Sequence, residues 1–297
     1  MYRLAHISDA HLGPMPHISW TKLLSKRLTG YINWQRNRAK QFSPDILSGL
    51  IAHMANARPD HIVITGDLIN ISLEEEITRA RSWLESIDTG KNISVICGNH
   101  DAYIRGMLEI AFHSWQEYLV GDDRKPVVNN ACFPILRRRG PCSLILLNSA
   151  LPTKPFDATG LFDQAQAENL EQLLHQERDN CRVVLIHHPP LANATAPNKR
   201  LIGDQLFRDV ILKKGADMVL HGHTHLDTCE RIDAPGKPVP VICVPAAGQE
   251  INGRKPAAQY NLFEIEGKSG DWLISQSKFG YRTDNQSVLL LDQPALL

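Results

Sequence analysis

The chain reads as an α/β protein. Short β-branched runs alternate with amphipathic stretches through its first two-thirds, and the last third is mostly strand-like. Polar residues rich in Asp, Asn and His follow directly on the apolar runs, where the loops of such a fold gather. Residues 2–8 form the first strand. Residues 44–57 are a helix, with Pro44 in its first turn and Ile46, Leu50 and Met54 at four-residue spacing. Residues 61–65 are a short buried strand. A helix over 73–87 follows, and its opening glutamates suit the positive end of a helix dipole. Residues 93–97 are a strand and 102–119 a third helix. Residues 131–136 and 143–148 form a hairpin, with Arg137-Arg138-Arg139-Gly140-Pro141 as a solvated turn. Asp163 caps a helix over 163–178, and strand 182–186, helix 203–213 and strand 217–220 continue the alternation. Beyond Cys229, residues 231–233, 239–244, 260–266 and 272–279 read as a β meander.

With 297 residues, 43% hydrophobic and 22% charged, the chain is long enough for a substantial core. It shows no repeat and no low-complexity linker. No apolar run approaches the eighteen or so residues of a membrane span. The N-terminus lacks a charged region followed by an apolar one, so a secretory signal is not expected. Lys plus Arg is 32 and Asp plus Glu is 32, which argues against a polycation built for nucleic acid. No long basic groove or aromatic platform is visible either, so no nucleic-acid partner is expected. Cys97, Cys132, Cys142, Cys181, Cys229 and Cys243 form no CxxC pair. They read as reduced, buried small residues of a cytoplasmic protein.

Five groups of polar residues carry the chemistry. They are Asp9-Ala10-His11, Gly66-Asp67-Leu68, Gly98-Asn99-His100-Asp101, His187-His188-Pro189 and His221-Gly222-His223-Thr224-His225. Each follows a strand, so all five converge on one sheet edge. Carboxylate, amide oxygen and imidazole suit manganese, iron and zinc better than a thiolate-selecting metal. The donors outnumber the four positions of one tetrahedral zinc, which points to two metals, with Asp67 bridging them.

In this order, Asp9-x-His11, Gly66-Asp67, Gly98-Asn99-His100-Asp101, His187-x-Pro189 and Gly222-His223-x-His225 resemble the calcineurin-like metallophosphoesterase superfamily. The motifs span about residues 4–226. Size and the His-His-Pro-Pro run are most similar to the bacterial class III cyclic-nucleotide phosphodiesterases and glycerophosphodiesterases. The resemblance implies a four-layer αββα sandwich of two mixed sheets. It implies that Asp9, His11 and His225 hold one metal, that Asn99, His187 and His223 hold the other, and that Asp67 bridges. Mn²⁺ or Fe is the expected cofactor, with Zn²⁺ as an alternative. His100 would face the substrate phosphoryl group, oriented by Asp101, and assist the leaving alkoxide after attack by a metal-bridging hydroxide. The expected partner is a small anionic phosphodiester. A phosphomonoesterase, a pyrophosphatase on a nucleotide-linked lipid and a non-catalytic scaffold are the alternatives. Oligomeric state is open, a homo-oligomer included. His6 and His221 read as core histidines, and His188 as a residue of the pocket or just behind it. His17, His53, His61, His113 and His175 belong to no constellation.

The expected domain covers residues 1–282, with an insertion at about 14–43 and a tail over 283–297. The insertion leaves the loop of Asp9 and His11. It holds Lys22, Lys26, Arg27, Arg36, Arg38 and Lys40 but no acid, and Trp20, Leu23, Leu24, Leu28, Tyr31 and Ile32 fall on one helical stripe. Three readings compete: a helix packed on the body, a lid giving cations to an anionic substrate, and a helix resting peripherally on anionic lipid. Gly30 weakens one continuous helix by about 1 kcal/mol, so two short helices are a further option.

Overall fold

The computed structural model describes residues 1–23, 25–234, 236–251, 255–282, 287–294 and 296, apart from the side chain of Lys22. From the N-terminus come β1 (Tyr2–Ile7), α1 (Trp20–Leu23), α2 (Arg27–Arg36), α3 (Pro44–Asn56), β2 (His61–Ile64) and α4 (Glu74–Ile87). They are followed by β3 (Ile93–Val95), α5 (Met107–Ser114), α6 (Gln116–Leu119), β4 (Ile135–Arg139), β5 (Cys142–Leu146) and β6 (Gly160–Leu161). Next are α7 (Gln164–Gln176), β7 (Cys181–Leu185), β8 (Leu201–Ile202), α8 (Asp204–Lys214) and β9 (Met218–His221). The last strands are β10 (Thr228–Ile232), β11 (Val239–Cys243), β12 (Gln259–Lys268), β13 (Asp271–Gly280) and β14 (Leu289–Asp292).

Two mixed sheets, ordered β14-β13-β12-β1-β2-β3 and β10-β11-β9-β7-β5-β4, face each other. β1, β2 and β3 run parallel, as do β5, β7, β9 and β11, so their C-terminal ends share one edge in each sheet. The two-residue period of the strands explains the layering. On β7, Cys181, Val183 and Leu185 enter the large core between the sheets. Val184 and Ile186 enter a second core under α7 and α8, with Leu170, Leu174, Phe207 and Ile211. Leu50 and Met54 of α3 and Ile77, Ala80 and Leu84 of α4 cover the other sheet. The architecture is the expected four-layer αββα sandwich. Ser8 bridges to Ala246 just beyond β1 and β11, which ties the sheets together at the edge that carries the polar loops.

Several expectations are corrected. The helix over 102–119 starts late, because 102–106 wraps the Asn99–Asp101 loop, with Ser72 Oγ accepting from the Tyr103 amide, and it divides at Trp115. Gly106 then starts α5 at φ 83°. Arg137–Arg139 is strand rather than solvated turn. Arg137 points inward at 2% exposure, and its guanidinium donates to the carbonyls of Ile93, Tyr118 and Gly90. Only Gly140 and Pro141 turn the hairpin. The final meander is divided: β10 and β11 complete the second sheet, while β12, β13 and β14 complete the first. The expected tail is built into the fold from residue 289, where β14 pairs with β13, and Leu296 is buried in the core. Its residues 283–286 lie outside the described residues. The cysteines are all free, but Cys229 is exposed and Cys132 half-buried, since both leave the central strands. Among the described residues, no helix is long and apolar enough to cross a membrane.

Candidate metal centre

The five polar loops meet at the shared sheet edge, and the local backbone shows how closely. A Cβ on Gly98 would strike the Asp67 carboxylate, and one on Gly222 would strike Ser8 Oγ and the Asp9 carboxylate, so glycine is required at both positions. Asp9, His11, Asp67, His223 and His225 all lie at φ between 42° and 69°. Non-glycine residues rarely adopt that region, and a cluster of them marks a site that the surrounding fold over-determines.

All seven expected donors are brought together. His225 Nε2 lies 3.0 Å from Asp9 Oδ1, and His11 Nε2 lies 3.4 Å from His225 Nε2. On the other side, His187 Nε2 is 3.3 Å and His223 Nδ1 2.8 Å from Asn99 Oδ1. Asp67 stands between the groups, with Oδ2 3.8 Å from His11 Nε2 and 3.4 Å from His187 Nε2. Three of the four rings are aimed from behind. His11 Nδ1 donates to Ile69 O at 3.2 Å, His187 Nδ1 to Thr65 O at 2.7 Å and His223 Nε2 to Lys199 O at 3.0 Å. The opposite nitrogen of each therefore faces the centre. Burial holds His11 and His223 well below the ordinary histidine range, which keeps both rings neutral. Burial opposes the charge of Asp67, yet His187, His100 and His11 hold its carboxyl well below the usual range.

This donor set fits metal ions. Asp9 Oδ1 is buried and faces the His225 and His11 ring nitrogens at 3.0 and 3.8 Å, and a carboxylate oxygen turned toward two ring lone pairs is costly unless a cation meets them. Asp9, His11 and His225 place donor atoms within 4.8 Å of one another, as do Asp9, Asp67 and His187, and also His187, His188 and His223.

One expectation changes. Among the described residues, no hydrogen bond joins the Asp101 carboxylate to the His100 ring. Its carboxylate accepts from the amides of Gly98, Asp67, Leu68 and Ile69, so it knits two donor loops together. The ring is instead oriented by Asn70 O, which accepts from Nδ1 at 2.5 Å. His188 stands behind His223, ring centres 4.5 Å apart, bonded to Ser149 Oγ and Ala158 O. His6 and His221 are buried, as core histidines should be, beside Thr65 Oγ1 and Gly222 O respectively.

The insertion is two helices, but the break falls before Arg27 and not at Gly30, which sits inside α2 because its bare Cα lets Tyr103 approach. The expected apolar stripe does not pack as a unit. Leu23 is buried and Tyr31 packs near Ile71 and Tyr103, while Trp20, Leu28 and Ile32 are exposed and Leu24 lies outside the described residues. Arg27 fastens α2 by donating to Ile71 O and Ser72 O. Arg38 reaches the centre, its Nη2 2.5 Å from His100 Nε2. Lys199 and Lys255 also line the cavity, of about 220 Å³, above the donors. Sequence reasoning missed these two lysines, since nothing in their neighbourhoods separates them from solvated surface lysines.

With this geometry in hand, comparison places the chain in a family. The chain belongs to the calcineurin-like phosphoesterases, whose family pattern matches residues 2–227. Similar solved structures include a dimetal phosphatase from Danio rerio, at TM-score 0.59 and 11% identity, covering 97% of this chain and 98% of that one. A purple acid phosphatase from yellow lupin seeds has TM-score 0.58 and 12% identity, covering 98% of this chain and 53% of that one. GAP50, described as the anchor in the inner membrane complex of Plasmodium, has TM-score 0.55 and 9% identity, covering 99% and 88%. These likenesses concern the fold. No curated protein matches the chain.

Proposed function

We propose that the protein is a binuclear metal-dependent phosphoesterase that prefers phosphodiesters. The observation that carries this reading is Asp67 Oδ2, poised between His11 on one side and His187 on the other. Asp9, His11, His225 and Asp67 would hold one ion, and Asn99, His187, His223 and Asp67 the second. Transition-metal ions there, Mn²⁺ or Fe before Zn²⁺, would supply Lewis acidity toward water and phosphoryl oxygen.

The chain's own groups do the rest. His100 Nδ1 is committed to Asn70 O, so Nε2 is the nitrogen that faces the cavity and can exchange a proton with a departing alkoxide. Burial and the Arg38 guanidinium push this imidazole down to about 3, so it rests neutral with Nε2 accepting from Arg38, and it can give a proton to the alkoxide only after taking one from the attacking water. The substrate must enter beside Arg38, which adds N–H donors for phosphoryl charge. The intact donor set speaks against a non-catalytic scaffold. Exposed Trp20, Leu28 and Ile32 support a second reading, a phosphomonoesterase or lipid-linked pyrophosphatase that meets a membrane surface peripherally through residues 20–40.

The test is elemental analysis with a Mn²⁺-reconstituted substrate panel. It would span cyclic nucleotides, glycerophosphodiesters, bis-p-nitrophenyl phosphate, p-nitrophenyl phosphate and nucleotide-linked pyrophosphates. Two ions per chain and faster turnover of diesters, pyrophosphate-linked ones included, than of p-nitrophenyl phosphate are expected. A fully active enzyme with one ion would sink the binuclear reading.

A further inference from the structure

The cavity above the donors continues into a second one of about 250 Å³, and Arg38, Asn33, Asn99, His100 and Lys199 line both. The second cavity is walled by the inner face of α2. Lys26, Thr29 and Asn33 recur there at helical spacing, beside the face that Arg27, Gly30 and Tyr31 fix to the body. Asn198 and Phe156 close the opposite side.

Its charge is positive and pre-arranged. Lys26 Nζ is held by Thr153 Oγ1 at 2.7 Å and Asp157 O at 3.1 Å, and stands 4.5 Å from the centre of the Tyr103 ring. Tyr103 in turn stacks on His100, ring centres 5.6 Å apart. One wall thus runs from the catalytic histidine to a fixed ammonium. The only carboxylate among the lining residues, that of Asp157, is turned aside to the amide and hydroxyl of Thr159. An ammonium in this setting still has a donor to give, and it lies one cavity away from the donors that would hold the scissile phosphate.

We propose that this second cavity is a subsite for a second phosphoryl group on the substrate, gripped by Lys26 and Lys199, with Arg38 between the two phosphates. The inference rests on the phosphoesterase reading and narrows it: the physiological substrate carries two phosphoryl groups, as in a pyrophosphate-linked diester. Asn33 and Asn198 supply neutral donors, and the exposed Phe156 offers an apolar face to whatever group the second phosphate carries.

The Mn²⁺-loaded enzyme would be assayed on UDP-glucose, which has two linked phosphates, and on bis-p-nitrophenyl phosphate, which has one. Wild type is expected to favour the first in kcat/KM. Lys26→Gln and Lys199→Gln should each lower that preference about tenfold through KM, as loss of a charge-assisted hydrogen bond does. Melting temperature and metal content should match wild type. Equal losses on both substrates, or no loss on either, would overturn the subsite while leaving the hydrolase intact. So would a wild type that turns over only the single phosphate. Absence of turnover on every phosphoester would instead overturn the underlying reading, and the subsite with it.

Discussion

At His100, replacement by alanine is expected to lower kcat by about 10²–10⁴ on a diester with a poor leaving group. The loss should shrink on a nitrophenyl ester, whose leaving group scarcely needs a proton. Metal content should hold, because His100 is not among the donors. An equal loss on both esters would point to stabilisation of phosphoryl charge. At Asp67, a change to Asn should empty both ion positions together, read by elemental analysis. Loss of a single ion would show that Asp67 serves one position only. The seven candidate donors could be singled out because aspartate, asparagine and histidine stand after five separate strands. The role of Asp101 was not legible. Its carboxylate gathers amides from residues 67–69, and only the folded loop brings those within reach. Arg137 misled for a related reason: three adjacent arginines resemble a solvated turn, yet the pleat sends Arg137 inward, to carbonyls of β3 and its surroundings.

At the scale of the element, α2 and the turn that follows it present three faces, and substitutions should separate them. Arg38→Gln should raise KM for anionic substrates, with an effect that weakens as salt screens the charge over about 8–10 Å. Arg27→Gln should instead loosen α2, since that side chain fastens it to residues 71 and 72. Hydrogen exchange over residues 27–36 would tell the two apart. Gly30→Ala would ordinarily stabilise a helix by about 1 kcal/mol. Here the new Cβ would sit 2.6 Å from Tyr103 Oη and 2.8 Å from Ile71 Cγ2, so a net loss is expected in thermal unfolding. The periodicity of the insertion showed that a helix would form. It did not show which face would be covered, because the partial burial of Tyr31 and exposure of Ile32 depend on where Tyr103 arrives. If the outer face with Trp20, Leu28 and Ile32 rests on lipid, changing all three to Ser should release the protein from anionic liposomes in a flotation assay. Unchanged flotation would remove the membrane from consideration.

For the whole molecule, acid is expected to be the weak side. Burial lowers His6 to about 3, and burial followed by the nearby Arg137 charge lowers His61 to about 2. Both folded values lie below the unfolded histidine value of about 6.5, so the folded state prefers these rings neutral. Their contribution is complete above about pH 6.5 and is lost as pH falls toward the folded values. Urea midpoints measured at pH 7 and pH 5 should therefore fall more in wild type than in His61→Gln. Equal falls would show that His61 is not responsible. The alternating strands and helices revealed the layered class, and the family pattern foretold the two sheets. How the last strands divide between those sheets was hidden, because a run of strands carries no mark of its partners.

The donors stand on opposite halves of the sandwich. Asp9, His11, Asp67 and Asn99 follow strands of one sheet, whereas His187, His223 and His225 follow strands of the other. Ions held by both would rivet the two halves at one rim, so loading becomes part of what keeps the molecule folded. An ion present at a hundred times its dissociation constant adds about 2.7 kcal/mol to the native state. Chelation should then lower the melting temperature as well as stop turnover, with amide protection lost first beyond β1 and β9. A protein that melts identically with and without metal would show that the halves are clamped by their cores alone.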